Sequence, residues 1–414
     1  MFSDSKYSAV TDDNFPPAIE ICFVDGQHRQ TLVYEKVSWE INDRKITLRY
    51  GDNPGQAAAL YRLINGNLIL GEVENIKPEK SLVSNPELLQ EGKHPGKINL
   101  TDADRALALL RNLMDRPAAV IIKHGNPSGV AYDLSIAGAC EKAVECDRVS
   151  SFGGCVGLNQ PVDLRTAEAI VQAEADVCVA PDFESGVMNV LSKRATLRVL
   201  RIRNIERLVK YSLQPVVDFT SLMDGGLILQ WSQVPKQITV EDLKPATAVH
   251  EGNMYRCRRE VNEKDRDDML FAWKAVCSMS SNAVVFVKNG ATVGIGTGQQ
   301  DSLTAAEVAR DKAYRKLADH ISLKRFSRLY TGIDDRQMAQ NIMNDVQELR
   351  GGLMGSIMAS DAFFPTPDGI KIAQYEDVAG IIQPGGSAQD HRAIETANEA
   401  GIPMVFTGQR SFVG

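Results

Sequence analysis

A lysine and a histidine stand side by side at Lys123 and His124, after the apolar run AAVII and directly before the string GNPSG. An imidazole exchanges a proton near neutral pH, and an ammonium stabilises developing negative charge. Both are among the most chemically versatile side chains a chain can carry. Neighbours on a strand point to opposite faces, so both can serve one site only where the strand is already breaking. Asn126-Pro127-Ser128-Gly129 is expected to supply that break. Taken alone, the pair reads equally well as a snorkelling lysine beside a hydrogen-bonded histidine. Further polar, glycine-rich strings accompany it. LRYGDNPGQAAALY (48–61) is expected to be a loop leading into a helix whose first amides receive an anion beside Arg49. DRVSSFGG (147–154), SNAVVFVKNG (281–290), MASDAFFPTPDG (358–369), IIQPGGS (381–387) and VFTGQRSFVG (405–414) complete the series.

The elements that must position these residues follow from hydrophobic periodicity. Residues 18–50 alternate apolar and polar and are interrupted at Asp25-Gly26 and Asn42-Asp43, which predicts β-hairpins. Residues 1–45 are therefore taken as a β-rich N-terminal extension. From QAAALYRLI (56–64) onward, helical spacing alternates with short apolar runs, the rhythm of an α/β fold with a buried sheet. Two stretches look alike: 118–147 and 282–319. Each has a β-branched run, a lysine, one polar residue, a glycine turn, a second apolar run and a helix opened by serine. In the second helix Ala305, Val308, Ala309, Ala313 and Leu317 share a face. ADVCVAPDF (175–183) likewise resembles EDVAGIIQPGG (376–386). Two matches in the same order suggest an internal duplication with units at 46–245 and 246–414. The alternative is that any two α/β crossovers look this similar. NEKDRDD (262–268) reads as a solvated helix start.

Composition narrows the function classes. The chain has 414 residues, 43% hydrophobic and 24% charged, with formal net charge −7. A length beyond that of ordinary single cores predicts two domains or a duplicated unit. The acidic balance argues against a general nucleic-acid or anionic-membrane binder, so an anionic ligand must be met by a local cationic cluster. Seven scattered cysteines, none in CxxC spacing, fit reduced thiols better than a disulfide framework or a zinc site. No secretion signal and no apolar run of the roughly 18 residues a membrane span needs is evident. A cytoplasmic protein is expected.

Taken in order, the strings above resemble the AICAR transformylase portion of the bifunctional AICAR transformylase/IMP cyclohydrolase family, over residues 46–414. The resemblance implies transfer of a formyl group from 10-formyltetrahydrofolate to the 5-amino group of 5-aminoimidazole-4-carboxamide ribonucleotide (AICAR). It also implies a pair of cytidine-deaminase-like α/β units, in a homodimer with active sites at the subunit interface. Carried over by motif, Lys123, His124 and Asn282 become the catalytic group. Arg49, Tyr50, Gly153, Asp176, Arg410 and Phe412 become AICAR contacts. Phe152, Phe363, Pro365, Asp368 and Ser387 fall on the folate side. A potassium ion held by carbonyls is compatible with the resemblance; zinc is not expected.

Two positions depart from the family pattern. Gly55-Gln56 stands where a histidine-glutamine pair is usual, and Thr366-Pro367 follows AFFP in place of an aromatic residue. The second change bears on the folate pocket. The cyclohydrolase domain that precedes this portion in the family is not matched by residues 1–45, so ring closure is expected from a separate polypeptide. Three other readings are open. A zinc deaminase needs HxE and PCxxC strings, and neither occurs. A non-catalytic nucleotide-binding relative would be expected to lose the lysine-histidine pair. An AICAR formylase using formate and ATP is not supported by any GxxxxGK[ST] loop.

Overall fold

A computed structural model describes residues 14–41, 44–66, 68–70, 73–74, 81–211 and 213–414. The chain is mixed α/β, with eleven α-helices among the described residues. It divides into two compact units that interleave in sequence. One holds residues up to 114 with 122–125 and 151–234; the other holds 115–121, 126–150 and 235–414.

The first unit opens with β1 (Ala18–Asp25) and β2 (His28–Lys36), an antiparallel hairpin in which Asp25 faces His28. Gly26 has φ 58°, so the expected Asp25-Gly26 turn is present. β3 (Trp39–Ile41) pairs with β4 (Arg44–Ile46), while Asn42-Asp43 lies outside the described residues. The helix expected after residue 56 is instead a strand, β5 (Tyr61–Gly66), added to β2. Its apolar residues find cross-strand partners, Tyr61 opposite Lys36 and Leu63 opposite Tyr34, and the Tyr61 hydroxyl donates to the Pro16 carbonyl at 2.6 Å. Pairing of this kind overrides a weak helical pattern. β6 (Ile69–Leu70) and β7 (Val73–Glu74) form a short ladder.

Beyond them come β8 (Glu87–Gln90), α1 (Lys97–Leu110), β9 (Ala118–Lys123), β10 (Asn126–Tyr132), α2 (Ile136–Cys146) and α3 (Arg148–Ser151). β11 (Cys155–Leu158), α4 (Leu164–Gln172), β12 (Val177–Ala180), α5 (Val187–Leu191) and β13 (Arg198–Arg201) follow. β11, β12 and β13 are parallel, and β8 runs antiparallel to β13. β11 and β12 are buried throughout, as continuous apolar runs in a parallel sheet require. α6 (Leu208–Tyr211) leads to the hairpin of β14 (Val217–Ser221) and β15 (Leu227–Trp231).

The second unit contains most of β9, β10, α2 and residues 235–414. β16 (Thr247–His250) and β17 (Asn253–Arg256) form a hairpin, followed by α7 (Arg266–Val276) at the charged string. β18 (Val284–Lys288), β19 (Ala291–Gly296) and α8 (Ser302–Phe326) come next, then α9 (Arg336–Glu348) and β20 (Ile357–Ser360). α10 (Asp368–Tyr375), β21 (Gly380–Gln383), α11 (Asp390–Ala400) and β22 (Met404–Phe406) end the chain. β18 is antiparallel to β19 and β20, whereas β20, β21 and β22 are parallel. Ala305, Ala309 and Ala313 of α8 are buried against the sheet, the face the periodicity predicts. Two glycines allow helices to lie directly on strands. A Cβ on Gly129 would stand 1.9 Å from the Ala143 carbonyl oxygen of α2, and one on Gly294 would stand 2.3 Å from that of Ala309.

Candidate active site

β9 ends at Lys123, and the chain reverses within two residues. His124 (φ 53°) and Gly125 (φ 77°) are both left-handed, the backbone of a type I′ hairpin turn. The Asp102 carboxylate of α1 accepts the amides of His124 at 3.3 Å and Gly125 at 2.7 Å. Asp102 is only 6% exposed, and burial raises its pKa against the opposing pull of those amides. The break expected at Asn126–Gly129 is absent. Those residues open β10, with Pro127, Ser128 and Gly129 buried, because the positive φ values fall earlier and Gly129 serves the contact with α2.

This turn fixes what the pair can reach. Lys123 is half-buried and its Nζ donates to the Phe152 carbonyl at 2.7 Å, 6.0 Å from the Phe152 ring centre. His124 is exposed at the tip. Phe152 is 51% exposed, and the adjacent Gly153 (φ 72°) donates its amide to the Glu174 carbonyl. The Lys123–Phe152 hydrogen bond thus joins the turn carrying His124 to the turn carrying Gly153.

A second cluster in this unit surrounds Arg49, Tyr50 and Asp176. The Arg49 amide donates to Pro95, the Lys97 amide donates to Tyr50, and the Arg49 guanidinium lies 5.2 Å from the Tyr50 ring centre. Lys97 opens α1, so the helix that meets this loop is α1 and not one following residue 56. Gly51 donates to the Gln56 carbonyl at 2.7 Å, and Gln56 Oε1 accepts from Asn53, so the loop closes on itself. A Cβ at Gly55 would meet nothing within 4 Å, so the position has room for the start of a side chain. Asp176 is 3.3 Å from Arg194 and 3.7 Å from Arg198. Arg198, 5% exposed, escaped the sequence reading. Burial lowers its pKa, Asp176 and Tyr50 oppose the shift, and Arg49 adds to it. The Arg198 guanidinium also donates, at 3.4 to 3.5 Å, to the carbonyls of His94, Asp176 and Thr196, and a buried cation with only long contacts is suited to receive an anion. Its only sequence signal is an arginine at the head of the short strand RVLR.

In the second unit, Phe363, Ser387 and Arg410 follow the C-terminal ends of the parallel strands β20, β21 and β22, where ligands of open α/β sheets bind. Asn282 precedes β18, and its amide and Nδ2 both donate to the Gln299 carbonyl, at 2.9 and 3.1 Å. Next to it, Asp361 after β20 is fully buried. Its carboxylate accepts from Ser281 Oγ at 2.5 Å and from the Ala283 amide at 2.8 Å, and burial raises its pKa to about 6. Ser281 also exchanges hydrogen bonds with Val413, and Ser411 donates its amide to Asp361, which pins the C-terminal segment beside Asn282. On that segment Arg410 stacks on Phe412 at 4.2 Å. Phe363 is half-buried while Phe364 is 2% exposed and belongs to the core, so only Phe363 offers a ring surface. Pro365 is exposed, and Asp368 accepts from Thr366 and Lys371 at the start of α10. Ser387 lies in the loop after β21, accepting from Gln389. None of the seven cysteines is in a disulfide. Among the described residues no three His, Cys, Asp or Glu side chains cluster as metal ligands, and no helix is long and apolar enough to cross a membrane.

Fold and side chains together define a mixed α/β protein that carries lysine and arginine side chains on its strands and the loops beside them. Residues 14–312 match the family model described as AICARFT/IMPCHase bienzyme. Similar relatives named bifunctional purine biosynthesis protein PurH occur in several bacteria. That of Ruegeria sp. (strain TM1040) is 36% identical over 369 residues, covering 88% of this chain and 59% of the relative. That of Thermoanaerobacter sp. (strain X514) is 35% identical over 366 residues, 88% of this chain and 58% of the relative. That of Oceanobacillus iheyensis is 33% identical over 382 residues, 92% and 60%. The chain belongs to the AICARFT/IMPCHase bienzyme family, and it spans about three fifths of the length of these curated relatives.

Proposed function

We propose that this chain transfers a formyl group from 10-formyltetrahydrofolate to the 5-amino group of AICAR, giving formyl-AICAR and tetrahydrofolate in purine (IMP) synthesis. The observation that carries the reading is the Asp102-clamped turn, which sets an exposed imidazole beside a positioned ammonium. The amine of AICAR is conjugated with an electron-poor ring and is a weak nucleophile. His124 takes its proton as the new bond from nitrogen to the formyl carbon forms. Lys123 stabilises the tetrahedral oxyanion, a role in which one donor is commonly worth about 3 kcal/mol. The bond to folate nitrogen then breaks, and Lys123 protonates the departing nitrogen. Arg49, Tyr50, Gly153, Asp176 and, newly, Arg198 hold the nucleotide, with Arg410 and Phe412 as further contacts. Asn282 orients the reacting groups, and Phe152, Phe363, Pro365, Asp368 and Ser387 take the folate side.

The same reading carries its structural corollaries: tandem cytidine-deaminase-like units at 46–245 and 246–414, a cytoplasmic homodimer with active sites at the subunit interface, and ring closure by sequence outside these residues. The matched geometry of the two lysine turns, described below, supports the duplication. Asp361 fits a potassium ion: it is a buried carboxylate whose described partners are a hydroxyl and amides, beside the Ser281 and Ser411 hydroxyls and the Cys277 carbonyl. Hard oxygen donors of this kind select hard cations. Such an ion would supply a counter-charge that keeps the C-terminal segment in place.

The test is a formylation assay with AICAR and 10-formyltetrahydrofolate, run beside formate plus ATP. Turnover with the folate is expected; turnover with formate and ATP alone would replace the donor, and none with either would reject the activity.

A further inference from the structure

The Lys123 turn has a structural double that the proposed chemistry does not use. β18 ends at Lys288, and Asn289 (φ 54°) and Gly290 (φ 70°) reverse the chain into β19. Their amides are accepted by Asp268 of α7 at 2.6 and 2.7 Å, and Lys288 Nζ donates to the Met354 carbonyl at 2.6 Å. This turn lines a cavity of about 300 Å³, at the lower end of the sizes that hold small ligands. Its cationic lining comes from Lys142 of α2, Lys288 of β18 and Lys316 of α8, with His320 of α8 beside them; Glu145 is the one acidic residue among the described lining. Val293, Ala313 and Leu317 form an apolar floor.

Lys316 dominates the electrostatics. Its side chain is 9% exposed, and Asp147 lies 3.5 Å from it, a long ion pair. Burial lowers the pKa of Lys316, and burial with Lys316 as neighbour lowers that of Lys312. A dianion entering the cavity would offset the desolvated charge and would share Lys142 with Asp133, which pairs with it at 2.7 Å, and Lys288 with the Met354 carbonyl. No imidazole stands at the turn, where Asn289 replaces it; the imidazole of the described lining is that of His320 on α8.

We infer that this cavity is a second anion site, which binds a small phosphate monoester with an apolar or ring-bearing body. The lysines meet the phosphate, and the floor of Val293, Ala313 and Leu317 meets the body. The inference uses none of the residues assigned to formyl transfer and stands independently of that reading.

Phenyl phosphate and inorganic phosphate are the probes, followed by calorimetry and phosphorus NMR on the full chain. In an Arg49→Ala background, which removes the proposed nucleotide contact, phenyl phosphate should still bind, and more tightly than inorganic phosphate. Lys288→Gln with Lys316→Met should weaken that binding at least about tenfold. Lys288→Gln alone, at a half-exposed position, should weaken it about threefold and leave formylation turnover within about twofold. Circular dichroism checks that each variant is folded, and if the double variant is not, the single one decides. Binding that disappears with Arg49→Ala, or that ignores Lys288→Gln, overturns the inference; tighter binding of inorganic phosphate overturns the role of the floor.

Discussion

Two turns, Lys123-His124-Gly125 and Lys288-Asn289-Gly290, share a backbone and differ in one side chain. Both pairs of tip residues are left-handed, both are clamped by an aspartate from the preceding helix, and both lysines donate to a carbonyl, that of Phe152 or Met354. The likeness continues beyond the turns: Gly153 donates to Glu174 as Gly355 donates to Asp377. One strand further on, likeness gives way to contrast. Arg194 and Arg198 attend Asp176 in one place; in the other, Tyr314 donates to Glu376 and Arg350 pairs with Asp377. The scaffold places an ammonium at both turns, and the neighbouring side chain decides whether there is a base beside it.

The sharpest way to break this comparison is to exchange the turn residues' chemistry. His124→Ala should lower formylation turnover at least about a hundredfold, the usual size for a lost general base. Asn289→Ala should leave it within about twofold. Equal turnover for wild type and His124→Ala would remove the imidazole from the mechanism.

A somewhat smaller effect separates the residues that follow β11 and β20, Asn159 and Asp361. Asn159 is neutral and donates to the Leu113 carbonyl, whereas Asp361 is a buried acid with its pKa near 6. The folded chain therefore binds this proton more tightly than the unfolded chain does. Its contribution is fully present below about pH 4, is lost as pH rises toward about 6, and amounts to about 3 kcal/mol. Urea unfolding from pH 4 to 8 should show that fall. Asp361→Asn should flatten it, and potassium in place of an organic cation should restore stability above pH 6 only when Asp361 is present.

The clamps come next. Asp102→Ala and Asp268→Ala each orphan two amides and should each cost about 2 kcal/mol in chemical denaturation. Only the first should also lower turnover, by about tenfold, because only there does the turn carry the base. The smallest matched pair caps the following helices. Ser135 accepts from Gly138 at the start of α2, and Asp301 accepts from Thr304 at the start of α8. Ser135→Ala and Asp301→Ala should each lose about 1 kcal/mol of stability, with turnover unchanged.

What could be read from sequence followed from how local the signal was. Asp25-Gly26 marks its hairpin because the turn residues themselves demand positive φ, and Lys123-His124 announces a site by residue type. The turn was nonetheless expected at Asn126–Gly129, since proline and glycine are stronger punctuation than a histidine in a left-handed conformation. QAAALYRLI has helical spacing, yet Tyr61 and Leu63 are claimed by a strand some 25 residues earlier. Asp102, Arg198 and Asp361 went unseen for the same reason. Their environments, a distant turn, a partner acid and a buried terminus, are assembled by tertiary contacts that no local window contains.

The left-handed tip at position 124 also limits what evolution can try there. Histidine, asparagine, aspartate and glycine tolerate that conformation, whereas β-branched residues do not. The four that fit are a proton acceptor, a neutral amide, an acid and a blank. The loop is therefore a socket whose reactivity can be exchanged by a single codon change while its shape stays fixed, and a base-bearing edge can become a silent one without the fold being renegotiated.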